Sequence, residues 1–383
     1  MIGDWWGMRN EREEANLVRR AALAAAALRR TLRAAVLREI SFYNRMRSRR
    51  SEPDWGHLRW LVESNLRNQP RFGKNFSLKD KLRTLGQGLF NRNYLFEAGG
   101  KAFVLRLAKV ERELRTRKEA IACVLREAKT LQALERLEFP YPTPRFISLV
   151  REDSEEPVGL IESALDGIVL KYCSNINEPD RLLKIIARVA AAVQKLPKSE
   201  FSHLKDREDS RAHAMELLEE LPASIFDEFG EAAQARDWIL AHLPKERSST
   251  VLHSDLLPQN LLADDYGADE IAVVDWQEAR IGDPAYDLAV VTRGVRKPLG
   301  VERGLERFVE FYNQFVDQKI PVPSVVVYEL LFHLDWLADT VKKRSQKRIG
   351  GHAPEHYAEL LGSILRRGAL RDLRPERVGE GER

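Results

Sequence analysis

The sequence predicts an α+β fold in two lobes, a small one built on an antiparallel sheet and a larger, mostly helical one, with a helical extension in front. Three observations lead there. Short apolar runs broken by glycine-bearing turns crowd into residues 78–161, the pattern of strands. Beyond residue 163 apolar residues recur at three- and four-residue steps, the pattern of helices packed on a core. Ahead of both, residues 11–48 carry a helical stripe of their own. The expected divisions are an extension over 1–75, the sheet lobe over 76–162 and the helical lobe over 163–383.

Composition narrows the function classes only a little. The chain has 383 residues, 44% hydrophobic and 31% charged, with a formal net charge of +4. Those values suit a soluble globular protein, and the weak charge bias argues neither for nucleic acid nor for membrane. No apolar run approaches the roughly 20 residues of a spanning helix. The two cysteines, Cys123 and Cys173, lack neighbours at metal-ligand spacing and form no disulfide scaffold, so a reducing, cytoplasmic setting is expected.

In the extension, Leu17, Ala21, Ala25, Leu28, Leu32, Val36, Ile40 and Tyr43 predict one amphipathic helix. Between Ala15 and Arg50 it holds ten arginines against the single acid Glu39. Such a helix can pack on its own protein, on a second copy, or on anionic lipid. Ser51-Glu-Pro-Asp54 interrupts it, a second helix is expected over Trp55–Arg67, and Asn68–Gly73 reads as a linker.

Leu85-Gly-Gln-Gly-Leu-Phe-Asn-Arg-Asn-Tyr94 places Gly86 and Gly88 in a turn between apolar runs, where backbone amides could approach phosphate. Two glycines in a hairpin equally well make just a hairpin. Along Lys101–Leu107, alternation puts Phe103, Leu105 and Leu107 on one face and Val104 and Arg106 on the other. Arg106 is thus a cation on the face away from the expected core, able to meet phosphate as a planar fork. A helix follows, and Pro140-Tyr-Pro-Thr-Pro144 ends it. Two further strands lead to Glu162-Ser-Ala-Leu165, where the chain is expected to cross to the second lobe.

Leu182–Leu196 is apolar at helical spacing, Ser199–Arg211 reads as a surface connection, and helices are expected over Ala212–Leu221 and Glu231–Leu243. Then comes Val251-Leu-His-Ser-Asp-Leu-Leu-Pro-Gln-Asn260, and after it Ile271-Ala-Val-Val-Asp275. A carboxylate to orient an attacking hydroxyl, and an amide oxygen plus a second carboxylate to hold magnesium on a triphosphate, are the parts phosphoryl transfer requires. Asp255 suits the first role, and Asn260 with Asp275 suits the second, since magnesium takes few protein oxygens beside phosphates and water. His253 is expected to pack and hydrogen-bond rather than to react, and no second His or Cys at ligand spacing supports zinc.

His253-Ser-Asp-Leu-Leu-Pro-Gln-Asn260, with Val274-Asp-Trp-Gln-Glu-Ala-Arg-Ile-Gly-Asp-Pro-Ala-Tyr-Asp-Leu288, resembles the aminoglycoside phosphotransferase and choline kinase superfamily. Glu127–Leu134, Pro142–Arg145 and Val104-Leu-Arg106 add to the likeness, which covers about residues 78–340. The resemblance implies a protein-kinase-like fold binding ATP and Mg2+, with Asp255 as base and Asn260 and Asp275 as metal ligands. Arg106 would contact phosphates, with Glu127 orienting it. The backbone at Glu162 and Ala164 would meet the adenine edge. Asp283 and Asp287 would brace the catalytic loop, Asp283 also capping a helix that begins at Pro284. Arg106 stands where relatives of this kind carry lysine, and Asp-Trp-Gln replaces the Asp-Phe-Gly of protein kinases.

The acceptor implied is a small molecule bearing a hydroxyl: a sugar, an aminoglycoside or an amino alcohol. Trp276, Tyr286, Phe332 and Trp336 are candidates to face an ammonium group, although aromatics at such spacing commonly belong to the core. Two readings compete with the enzyme. One is a protein kinase, disfavoured because nothing like Ala-Pro-Glu follows Asp275, or a nucleotide-binding regulator. The other is a membrane-surface protein acting, or self-associating, through residues 11–50.

Overall fold

The computed structural model describes residues 53–87, 90–110, 116–152, 154–170, 179–207, 209–263, 270–292, 303–345 and 352–372. The helix expected over 11–48, Gly88, Cys173 and the turn at 264–268 lie outside them. Two units cluster separately: residues 1–124 with 146–168, and residues 125–145 with 169–383.

The first unit holds helix α1 (Trp55–Leu66) and a sheet of five strands: β1 (Arg83–Gln87), β2 (Asn91–Ala98), β3 (Lys101–Ala108), β4 (Phe146–Arg151) and β5 (Pro157–Ser163). Their order is β1-β2-β3-β5-β4, with every neighbouring pair antiparallel. Alternation along β3 buries Phe103 and Leu105 in one cluster with Tyr94, Phe96, Val150 and Ile161. Leu58, Leu61, Val62 and Leu66 of α1 complete that cluster.

This redraws the expected boundary at residue 75. The helix assigned to the extension closes the back of the sheet, because a sheet with one apolar face must bury it against another layer. Asp54 caps the helix by accepting from the His57 amide at 3.0 Å. Nor is 68–73 a loose linker: Phe72 packs against the cluster, edge-on to Phe103 at 5.7 Å. At the edge strand β4, the Asn65 side chain donates to the Arg151 carbonyl and accepts from its amide, both at 2.9 Å. It thereby occupies backbone groups that an exposed edge leaves open.

The helix α2 (Arg117–Arg136) runs from the first unit into the second. A short β6 (Ile168–Val169) follows the sheet. The second unit continues with α3 (Pro179–Gln194), α4 (Ser210–Glu219), α5 (Ser224–Glu228) and α6 (Gly230–Ala241), then the small strands β7 (Thr250–Leu252), β8 (Leu261–Ala263), β9 (Ile271–Val273) and β10 (Arg280–Gly282). It ends in α7 (Ala285–Val290), α8 (Gly304–Asn313), α9 (Val322–Ser345) and α10 (Pro354–Asp372). The stretch expected as a surface connection over 199–211 is partly core. It forms a 3-10 turn at Lys198–Phe201 that buries Phe201 completely, and Leu204 is buried as well. Its charged composition hid two apolar anchors. No helix among the described residues is long and apolar enough to cross a membrane.

Candidate active site

Two small antiparallel pairs frame the catalytic segment. Strand β7 pairs with β10, Leu252 opposite Arg280, and β8 pairs with β9, Leu261 opposite Val273. The loop from His253 to Asn260 therefore leaves one pair and enters the other, which fixes both its ends. Val274 donates its amide to the Asn260 carbonyl at 3.0 Å, so Asn260 and Asp275 stand at adjoining strand ends.

Within the loop, the Asn260 side-chain nitrogen donates to the Asp255 carboxylate and to the Asp255 carbonyl, each at 2.7 Å. With that nitrogen engaged, the amide oxygen is the Asn260 atom suited to a cation. Asp255 is partly exposed, whereas Asn260 is buried. Asp275 and Ser254 both adopt the left-handed backbone, with φ of 70° and 67°. Aspartate tolerates this region better than most residues, but for serine it costs about 1–2 kcal/mol.

Asp287, fully buried on α7, holds the strained loop. Its two carboxylate oxygens accept from the His253 amide at 2.9 Å and the Ser254 amide at 2.7 Å. Burial pushes its pKa up, against the pull of His253 and of these two amide bonds. His253 is likewise fully buried, and burial lowers its pKa although Asp287 and Asp275 act in the other direction. Asp255 donates its amide to Nδ1 at 3.3 Å, so Nε2 carries the proton and donates to the Val274 carbonyl at 3.1 Å. The ring packs at 4.6 Å from Trp276. A neutral imidazole thus ties the loop to the end of β9.

Asp283 is fully buried too. It accepts from the Ala285 amide at 3.0 Å at the start of α7 and forms an ion pair with buried Arg247 at 3.1 Å. Its own amide donates to Nδ1 of His213 at 3.0 Å. A Cβ on Gly282 would stand 2.4 Å from that same Nδ1, so only glycine lets the turn approach the ring. Arg247 and His213 were not singled out in the sequence. They lie 36 and 70 residues before Asp283, and nothing local marks either one.

On the sheet, Arg106 is buried and faces away from the aromatic cluster, as alternation requires. Its guanidinium lies 3.7 Å from the Glu162 carboxylate. The register places Val104 opposite Glu162 and Arg106 opposite Leu160, so the two charged side chains are diagonal neighbours on one face. Glu162 thus brings a side chain to Arg106, where the sequence expectation used only its backbone. Gly159 makes room beside them, since a Cβ there would sit 2.1 Å from the Arg106 carbonyl. The Ala164 amide donates to the Ala102 carbonyl at 3.0 Å, which leaves the Ala164 carbonyl as the group able to meet an adenine edge. Gly86 lies in β1, and Glu127 lies on α2 and is buried.

Of the four aromatics weighed as ammonium faces, Trp276 and Tyr286 take the core reading that their spacing favoured. Trp276 is fully buried, its indole nitrogen donating to the Val273 carbonyl at 3.3 Å. Tyr286 already carries the Arg280 guanidinium 4.7 Å above its ring. Both belong to the packing of the catalytic segment rather than to an open wall.

The family described as "Phosphotransferase enzyme family" matches residues 81–303. A curated relative, acyl-CoA dehydrogenase family member 10 of Mus musculus, is 36% identical over 140 residues, covering 33% of this chain and 13% of that protein. Among solved structures, the GDP and kanamycin complex of APH(2")-IIIa superposes with a TM-score of 0.58 at 16% identity, covering 80% of this chain and 99% of that one. A thermostable mutant of aminoglycoside phosphotransferase APH(4)-Ia gives 0.55 at 20% identity, covering 76% and 96%. Macrolide 2'-phosphotransferase type I gives 0.55 at 18%, covering 82% and 98%.

Proposed function

Because the chain belongs to the phosphotransferase enzyme family, a family of small-molecule kinases, we propose that it transfers the γ-phosphoryl group of ATP, with Mg2+, to a hydroxyl of a small acceptor. The observation that carries this reading is Asp255. Its carboxylate is held by the Asn260 amide in a loop clasped from below by Asp287. An oriented carboxylate in such a loop can accept the acceptor's hydroxyl proton as the phosphoryl group leaves.

Asn260 and Asp275 fit magnesium. They offer a neutral and a charged oxygen from adjoining strand ends, and a hard cation completes its shell with phosphates and water. The ion would supply neutralisation of the charge on the triphosphate. Arg106 is assigned to the phosphates, with Glu162 beside it and Glu127 as a further orienting carboxylate. Gly86 and Gly88 are assigned to the phosphate turn, and the backbone at Glu162 and Ala164 to adenine. His253, Asp283 and Asp287 position the loop and take no part in proton transfer.

The acceptor is a sugar, an amino sugar or an amino alcohol. The test is an ATP-consumption screen across sugars, aminoglycosides, amino alcohols and nucleosides. Asp255→Asn is expected to lower turnover about 100- to 10,000-fold without changing the unfolding midpoint. Full turnover in that variant overturns the assignment.

A second reading is favoured by Trp55 and Trp60, which α1 leaves 37% and 44% exposed just after the arginine-rich segment. Indoles beside basic residues suit an anionic membrane surface. Flotation with phosphatidylserine vesicles that is unaffected by deleting residues 11–50 and by Trp55→Ala with Trp60→Ala removes this reading.

A further inference from the structure

The second unit has an open groove of about 420 Å³ between the segment after α2, the last turns of α3 and the chain after α8. Its origin is legible on α3. Arg188 lies within the last two turns of α3 and Lys195 directly after its end at Gln194, where the Lys195 amide donates to the Ala192 carbonyl at 3.2 Å, and both lie on the groove's face. Between them on that face stand Ala191 and Ala192. Two alanines between two long cations leave a dent where larger side chains would close the surface.

The walls are apolar and aromatic. Phe139 and Tyr141 rise on one side and Phe315 on the other, with Leu196 at the end. The Arg188 guanidinium lies 5.8 Å from the Phe315 ring, which steadies the cation without neutralising it. Arg188 also reaches the electrostatic neighbourhood of the Tyr141 hydroxyl, whose pKa is raised chiefly by burial. Glu138 is the one carboxylate in the lining. The volume falls in the range of small-molecule sites, roughly 300–1,000 Å³.

One wall is also part of the candidate active site's support. Phe139 packs edge-on against Trp276 at 5.8 Å, and the Val273 amide donates to the Pro142 carbonyl at 2.9 Å. Trp276 follows Asp275 directly and covers His253.

We propose that this groove is a binding site for a small organic anion with a flat apolar body, whose acidic group meets Arg188 and Lys195 and whose body lies on the alanine floor against Phe139 and Tyr141. Its occupancy tightens the segment carrying Asp275 through Phe139 and Pro142. Binding does not depend on the phosphotransferase reading, so the two fail separately.

The experiment is calorimetric titration of the full chain with 2-naphthoate, and with neutral 2-naphthylmethanol as control. The expected result is saturable one-to-one binding of the acid, at least tenfold tighter than the alcohol. Arg188→Glu with Lys195→Glu, both at exposed positions, should weaken it at least tenfold while leaving the melting curve unchanged. Ala192→Trp, which fills the floor, should abolish it. Hydrogen exchange of a peptide spanning 271–277 should slow several-fold on saturation with the acid. Absent binding, equal binding of the alcohol, or binding indifferent to these substitutions overturns the site. Unchanged exchange at 271–277 overturns the link to the catalytic segment. Dimerisation lost in the same charge reversals would assign the groove to a second copy of the chain instead.

Discussion

Asp287→Asn isolates the side chain that holds two successive backbone amides of the candidate catalytic loop. The carboxylate presents an acceptor to each of two buried amides, those of His253 and Ser254, at 2.9 and 2.7 Å. Asparagine keeps one oxygen and turns an NH2 group toward the other amide, so one buried N–H loses its partner. A hydrogen bond to a charged group contributes about 1.5–3 kcal/mol, and an orphaned buried donor costs about 1–3 kcal/mol. Against this, the neutral amide avoids the cost of burying a charge, the same cost that pushes the Asp287 pKa up. The net expectation is a loss of about 1–3 kcal/mol in the stability of the second unit. The functional loss is expected to be larger in proportion. Ser254 sits at φ 67° and relaxes toward ordinary backbone when one tether goes, carrying Asp255 with it. A displacement near 1 Å at such a residue lowers turnover about 100-fold. Urea unfolding followed by circular dichroism measures the first quantity. Steady-state kinetics on the acceptor identified by screening measures the second. Stability unchanged within about 0.5 kcal/mol together with turnover within twofold of the native chain refutes the reasoning.

Ser254→Gly should stabilise the chain by about 1 kcal/mol, read as a higher urea midpoint. Glycine relieves the left-handed strain and removes a buried hydroxyl that has no hydrogen-bond partner, offset by a larger unfolded-state entropy. The pH dependence of stability follows from His213, whose pKa burial lowers to about 2, with Arg207 and Arg280 adding to the effect. The folded ring resists protonation while the unfolded one titrates near 6.5. Its contribution is therefore complete above pH 6.5 and shrinks as pH falls toward 2, by about 1.4 kcal/mol per pH unit. His213→Gln should flatten that slope in melts taken between pH 7 and pH 4, and an unchanged slope contradicts the assignment.

The α+β architecture was legible in the sequence because its signals are local. Alternation along Lys101–Leu107 names the buried face of a strand whichever sheet it joins, and the helical spacing of Leu182–Leu196 does the same for α3. The spacing of Asp255, Asn260 and Asp275 was legible for the same reason, since one short stretch from the end of β7 to just past the end of β9 carries all three. What the sequence misjudged was membership and burial. Residues 55–66 read as a helix but gave no sign that they close the back of the sheet, because an apolar stripe does not say which surface it meets. For Trp276 and Tyr286, by contrast, the core reading that aromatics at such spacing favour is the one tertiary packing took, one in the core and one beneath Arg280.

The sequence alone determined the kind of chain, an α+β phosphotransferase-family protein with one acidic, amide-bearing loop. Only the tertiary structure decided how that loop keeps its shape. Asp287 reaches back to the His253 and Ser254 amides, Asp283 meets Arg247, and the His213 ring presses on Gly282. Those partners lie tens of residues apart along the chain. Buried polar groups must find complementary groups wherever the fold brings them, and pattern within a window cannot reveal a pairing that exists only after folding.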